Sequence, residues 1–450
     1  MRQIPSSILQ DLHGIKGFNE QAFLEAHDQP APVSVRVNGA KDIGLFATEE
    51  KVPWCEGGVY LPERPVFTLD PAYHAGAYYV QEASSMFLDH LLRHVIQGRT
   101  GLRVLDLCAA PGGKSTLIAS LLDKDSLLIS NEVIRTRASI LEENMTRWGY
   151  MNTWVTSNDP RDFTKLTGYF DVIVVDAPCS GSGLWRKDAR AIDEWSEANV
   201  QMCGDRQQRI LADVWPALKE DGILVYATCS YSPKEDEEVL DWLAETYDAT
   251  SCTVPLKEEW GIAEVQSGKG MTGYRFFPGN VKGEGFFIAA VQKKEEADEM
   301  RMGRFKTFND RKMQEMAGFL LRDNDFVCIQ GKEDFSALLP AHEGDLNILK
   351  QCVYLRRTGL PMGNPSAKDW LPSHDVALSI DKNERLPAIE LSREQALLYL
   401  KREDMGIEGA QKGWLLVKYN GLGLGWVKSL GNRMNNYLPK HWRIRMELPE

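Results

Sequence analysis

The stretch Val104-Leu-Asp-Leu-Cys-Ala-Ala-Pro-Gly-Gly-Lys-Ser115 runs from a short apolar strand through a glycine turn into a helix start. Such a turn lets the backbone approach a ligand closely and aims helix N–H groups at it. A dinucleotide loop would need GxGxxG, which is absent. A phosphate-binding loop would need GxxxxGK[ST]. Gly113-Lys114-Ser115 fits its end, but the position of its first glycine is Cys108, so that reading fails. The third ligand class is S-adenosylmethionine (SAM), with an adenine, a ribose diol and a methionyl tail in place of phosphates. A ribose diol calls for a carboxylate at the end of the next strand, and Glu132 closes Leu127–Ser130 there. Asp159 closes the third strand, where it can sit near the adenine. Either acid alone reads more readily as a plain loop acid. Three strand-end features in register select SAM.

Outward from this loop the chain alternates strands and helices, the pattern of a doubly wound parallel sheet. Val104–Leu107, Leu127–Ser130, Trp154–Thr156, Val172–Val175 and Ile223–Tyr226 are short apolar runs, as buried parallel strands should be. Ser115–Leu122, Arg135–Trp148 and Asn199–Leu218 are expected helices, and another starts near Pro233. Gly285–Val291 adds a late strand, and Gln292–Arg304 reads as a charged linker or solvated helix. With 450 residues the chain exceeds one ordinary core. The expected division is an α/β extension over 1–95, the doubly wound domain over 96–293, a mixed α/β module over 304–385 and a last module over 386–450.

Composition narrows the class. An apolar fraction of 43% with 26% charged residues is that of a folded, soluble chain. No apolar run approaches the ~18 residues of a membrane span. The start, Met1 to Gly14, lacks the apolar centre of a signal peptide, so a cytoplasmic location is expected. The eight cysteines show no CxxC pairing, which disfavours a disulfide framework and a zinc site, and no metal is expected. The net charge of −12 does not point to nucleic acid, although a global sum says nothing of local patches.

Two cysteines stand apart. Asp176-Ala-Pro-Cys179-Ser-Gly follows the fourth strand and Thr228-Cys229-Ser follows the fifth, so Cys179, Cys229 and Asp176 should face one cleft beside the cofactor. Cys55, Cys203, Cys252, Cys328 and Cys352 read as small buried hydrophobes, and Cys108 packs in the glycine loop. Carbon-5 of a pyrimidine is a poor nucleophile. A thiolate that adds at carbon-6 gives it enamine character, and a carboxyl group near N3 can share the proton that the ring then needs. Geometry at this stage leaves open which of the two cysteines is the nucleophile.

Cys108–Lys114, Asp176–Gly181 and Thr228–Ser230, in this order and spacing, resemble the three most specific motifs of the Sun-type RNA (cytosine-5)-methyltransferase family. Arg36-Val-Asn38, Gln81–Ser85, Arg186-Lys-Asp188 and Glu284–Phe287 agree with it, so the likeness covers roughly residues 30–292. The resemblance implies a class I SAM-dependent methyltransferase (Rossmann-like) fold. It implies Cys229 as the nucleophile, Cys179 as the group that assists adduct breakdown, and Asp176 at N3. Cys108, Ala109, Ala110, Pro111, Gly112, Gly113, Lys114, Glu132, Asp159 and Asp176 would surround SAM, with Lys114 also acting in the cleft. Two departures are Glu82, where Asp is common, and Phe277-Pro-Gly279, where Phe-Pro-His is usual, so no histidine role follows there.

Gly413–Tyr419, Gly425–Lys428 and Asn436–Arg443 resemble the PUA-like RNA-binding end of the bacterial subgroup that acts on small-subunit ribosomal RNA. From Ala410 onward, Lys412, Lys418, Lys428, Arg433, Lys440, Arg443 and Arg445 face only Glu447 and Glu450. Interleaved with Trp414, Trp426, Tyr437 and Trp442, they suit phosphate contact, while most of these aromatics read as barrel core. The 1–95 extension would also bind RNA. The expected function is methylation of cytosine carbon-5 in 16S ribosomal RNA, free or within the 30S subunit, by a monomer that touches no membrane. Transfer RNA is the alternative substrate. A protein or small-molecule methyltransferase with structural cysteines, and a non-catalytic RNA-binding assembly factor, are the other readings.

Overall fold

A computed structural model describes residues 4–188, 190–297, 311–322, 325–330, 334–365, 369–407 and 409–448. The expected linker lies outside the described residues from position 298 onward. At the centre is a sheet built on β1 (Arg103–Asp106), β2 (Leu127–Asn131), β3 (Thr153–Thr156), β4 (Phe170–Asp176), β5 (Leu218–Thr228), β6 (Thr272–Phe276) and β7 (Phe286–Lys293). Their spatial order is β3-β2-β1-β4-β5-β7-β6. β1 to β5 are parallel, and β7 inserts antiparallel between β5 and β6. The order reverses between β1 and β4, and ligands bind beyond the carboxyl ends of the strands at such a point.

Every strand of the parallel set is buried on both faces because alternate side chains enter two cores. Leu105, Ile129, Ile173, Val175, Leu224 and Tyr226 go to one core, and Val104, Leu128, Val172, Val174, Ile223 and Val225 to the other. The helices α1 (Gly113–Leu121), α2 (Arg135–Trp148), α3 (Glu197–Val214) and α4 (Glu237–Thr246) cover the sheet. The expected helix 199–218 ends sooner: Pro216 sits in a 3₁₀ turn over Trp215–Ala217, and Leu218 already belongs to β5. At Pro233 a 3₁₀ turn over Pro233–Glu235 precedes α4, and Glu235 and Asp236 are driven into the interior.

The first 95 residues split by destination. Ile8, Leu12 and Phe23 of the two first helices join one face of the central core, and the helix Phe87–Val95 joins the other. Between them Val33–Val37 pairs antiparallel with Gly58–Leu61 and Tyr78–Val80 over a small separate core. Downstream, four strands from Val327 to Pro372 form a sheet of their own, while Leu355–Arg357 extends the central sheet beside β3. The last sheet comprises Ala388–Glu390, Gly413–Tyr419, Leu422–Ser429 and Met434–Asn436. Of the four aromatics expected mostly as barrel core, only Trp426 is buried, and it packs with Met362, Trp370 and Val376 of the preceding module. Trp414 and Trp442 are half-buried and Tyr437 is exposed, because the small sheet's own core is filled by aliphatic side chains such as Leu415, Val417 and Val427. Among the described residues, no helix is long and apolar enough to cross a membrane, and no group of three His, Cys, Asp or Glu is placed to hold a metal ion.

Candidate active site

Three strand ends build the site. At the end of β1, Asp106 is fully buried and its Oδ2 accepts the Ser115 hydroxyl at 2.6 Å, while Oδ1 has no partner among the described residues. Burial pushes the Asp106 carboxyl up to about 7 against the pull of the Ser115 bond. The loop beyond it turns at Gly112, whose φ of +119° favours glycine. Side chains clamp this loop by its carbonyls: Arg137 donates to the Ala110 oxygen and Asn144 to the Pro111 oxygen, each at 2.8 Å. From the N-terminal sheet, buried Arg36 donates to the Gly113 oxygen at 3.3 Å. Burial holds the Cys108 thiol well above its ordinary range, so it packs without reactivity.

At the end of β2, Glu132 is buried, accepts the Ile134 N–H at 2.9 Å and lies 3.3 Å from the Arg137 guanidinium. Neighbouring Asn131 ties three strand ends together, donating to the Leu107 and Asn158 carbonyls and accepting from Thr156. Asp159 stands at the end of β3, but its carboxylate pairs with Arg161 at 2.9 Å and caps the following turn. The Arg161 bond holds Asp159 below the usual carboxylate range.

At the ends of β4 and β5 the two loops meet. Cys179 Sγ lies 3.1 Å from Cys229 Sγ. The hydrogen bond to Cys229, then burial, pushes the Cys179 thiol well up, so it keeps its proton. Lys114 Nζ lies 2.7 Å from Asp176 Oδ2 and 5.1 Å from the centre of the Phe286 ring. Burial opposes the Lys114 charge, yet the Asp176 carboxylate outweighs it and holds the ammonium above its ordinary range. The loops close because Gly183 N–H donates to the Cys229 carbonyl at 2.8 Å. A Cβ on Gly183 would stand 2.3 Å from the Gly285 oxygen and 2.9 Å from the Cys229 oxygen, so only glycine fits.

Residues 94–292 match the family described as 16S rRNA methyltransferase RsmB/F, residues 4–83 the N-terminal domain of 16S rRNA methyltransferase RsmF, and residues 386–444 the methyltransferase RsmF PUA domain. The chain is 31% identical over 472 residues to Ribosomal RNA small subunit methyltransferase F of Vibrio atlanticus, covering 97% of each chain. It is 30% identical to the protein of that name from Shewanella loihica, covering 97% of this chain and 93% of the relative. The chain belongs to the RsmB/F methyltransferase family. Solved structures carry the same fold. A methyltransferase homologue from Pyrococcus horikoshii superposes with a TM-score of 0.52 at 29% identity, over 64% of this chain and all of that one. NSun6 from Pyrococcus horikoshii does so at 0.54 and 18% identity, over 65% of this chain and 99% of that one.

The residues of the three motifs thus stand at adjoining strand ends, with Lys114 against Asp176 and Cys179 against Cys229. Asp159 is at its expected strand end but engaged with its own turn. Sequence reasoning passed over Asn131, Arg36, Arg137 and Glu235. In the sequence Arg36 stands out only by its likeness to the family, and Glu235 is one acid in the run Glu235-Asp-Glu-Glu238. A buried polar residue carries no local signal of what its side chain meets across the fold.

Proposed function

We propose that this family member methylates carbon-5 of cytosine in 16S ribosomal RNA through a covalent Cys229 adduct, with SAM as methyl donor. The contact of 3.1 Å between the Cys179 and Cys229 sulfurs, in one cleft with the Lys114–Asp176 pair, carries this reading. SAM fits the donor set. Glu132 offers a carboxylate to a ribose diol, the Cys108–Gly113 loop offers its backbone, and Asp106 beside that loop holds a buried oxygen with no partner among the described residues. Asp159 has a place near the adenine only if its pair with Arg161 opens. Bound there, SAM supplies the methyl group.

The contact with Cys229, then burial, holds the Cys179 thiol up, and the likeness to the family assigns the attack to Cys229. Its sulfur forms a bond to carbon-6, the carbon-5–carbon-6 double bond opens, and the electron pair develops at carbon-5, which would use it to bond the methyl group that SAM supplies, with S-adenosylhomocysteine leaving. Asp176 faces N3 and shares a proton there, while Lys114 stabilises the charge gathering on the ring side of the cleft. Once Cys229 sulfur is bonded to carbon it is a poor acceptor, and the main cause that keeps Cys179 protonated is gone. Cys179 then assists removal of the carbon-5 proton, and expulsion of the Cys229 thiolate restores the ring. The N-terminal extension and the PUA-like module hold the RNA, and the enzyme acts in the cytoplasm as a monomer.

The test uses methyl-labelled SAM with unmodified 16S rRNA, assembled 30S particles and tRNA, followed by nucleoside analysis. We expect 5-methylcytidine in rRNA or 30S, none with Cys229→Ala, and an RNA–protein adduct accumulating with Cys179→Ala. Label in tRNA alone would replace the substrate. Full activity without Cys229 would remove the covalent mechanism.

A further inference from the structure

Behind the two thiols lies a carboxylate that the mechanism above does not use. Glu235 is fully buried. Its Oε1 accepts the Ser180 backbone N–H at 2.8 Å and the Gln207 amide at 3.2 Å. Its Oε2 accepts the Ser180 hydroxyl and the Ser230 hydroxyl, both at 2.6 Å. Ser180 follows Cys179 directly and Ser230 follows Cys229 directly. No Lys or Arg pairs with Glu235 among the described residues. Removing a carboxylate from water costs several kcal/mol unless hydrogen bonds repay it, and here all four come from neutral donors, three of them on the cysteine loops.

We propose that Glu235 is the positioning residue of the thiol pair: one carboxylate fork holds both cysteine loops in register, so that Cys229 and Cys179 meet the same ring from fixed places. This rests on the covalent reading given above. The turn Pro233–Glu235 exists to deliver the fork, since its break from α4 at Asp236 lets Glu235 point under both loops. Gln207 on α3 steadies it from the far side and also donates to the Pro178 carbonyl at 3.1 Å. The two arms have separate duties. The Ser230 arm places the nucleophile and the Ser180 arm places the thiol that assists breakdown.

The arms separate in experiment. With unmodified 16S rRNA and SAM, Ser230→Ala is expected to slow adduct formation without accumulation, while Ser180→Ala accumulates adduct as Cys179→Ala does. Glu235→Gln keeps the volume but turns an acceptor into a donor facing a donor. It should lower kcat about 100-fold, the loss typical of a displacement near 1 Å, with KM for rRNA within twofold. A second readout needs no RNA. Diamide takes two electrons and two protons from the thiol pair as the Cys179–Cys229 disulfide forms, and this should slow at least tenfold in Glu235→Gln. Equal phenotypes from the two serine variants, or an unchanged diamide rate in Glu235→Gln, would overturn the proposal. Methyl transfer surviving in Cys229→Ala would overturn the covalent reading instead, and the diamide rate then decides the positioning of the thiols by itself.

Discussion

Asp106 shows how a single buried group links the cofactor loop to solution conditions. Its folded-state pKa of about 7 lies above the ordinary 3.8 because burial disfavours the charge. The folded protein therefore holds a proton that the unfolded chain gives up. The stability this confers is present at and below about pH 4 and is lost as pH rises to 7. Between pH 5 and pH 8 the loss is about 3 kcal/mol at 1.36 kcal/mol per unit. Asp106→Asn cannot ionise, so in cofactor-free protein its melting temperature relative to wild type should become more favourable at pH 8 than at pH 5. A gap that stays level across that range would mean Asp106 is already ionised in the folded state.

At the level of elements, the site depends on two loops that approach each other more closely than side chains allow. Gly183 N–H meets the Cys229 carbonyl, and the Gly285 carbonyl stands where a methyl group would go. Backbone cannot yield as a flexible side chain does, so Gly183→Ala must part the β4 and β5 loops. We expect a loss of about 1–3 kcal/mol in urea unfolding, as for other overpacked sites, together with weaker adduct formation in the Cys179→Ala background. Wild-type stability in Gly183→Ala would show that the loops are not held at this distance.

Across the whole molecule, an acidic chain of net charge −12 has to hold a polyanion. Lys418 and Lys428 of the last module pair with Glu384 and Asp369, so the local answer we propose is the exposed set Lys440, Arg443 and Arg445. Lys440 and Arg443 lie at the exposed turn around Trp442, whose ring stacks over the Arg147 guanidinium at 4.7 Å and so ties the module to α2. Rna affinity should fall as salt rises, with a slope of about −0.7 per phosphate neutralised for single strands. The triple variant Lys440→Ala, Arg443→Ala, Arg445→Ala should weaken rRNA binding and flatten that slope while leaving SAM binding unchanged. An unaltered slope would place the RNA elsewhere.

The strand pattern, the glycine loop and both Pro-Cys and Thr-Cys loops were legible in the chain because each is local. Periodicity, turn chemistry and strand-end position are written in neighbours a few residues apart. The expected helix Arg135–Trp148 coincides with α2, and β1, β2 and β4 lie at their apolar runs. What the tertiary structure alone decided depends on residues far apart in the sequence. Arg36 reaches a loop near position 113, and the first helices bury Ile8 and Phe23 in the central core, because a side chain's partners follow from packing that no window reveals. The same holds for the meeting of the two sulfurs. From sequence Cys179 and Cys229 are two similar thiols at two strand ends, and likeness to a family separated them. In the folded chain they touch at 3.1 Å although 50 positions separate them, a meeting that no local pattern contains.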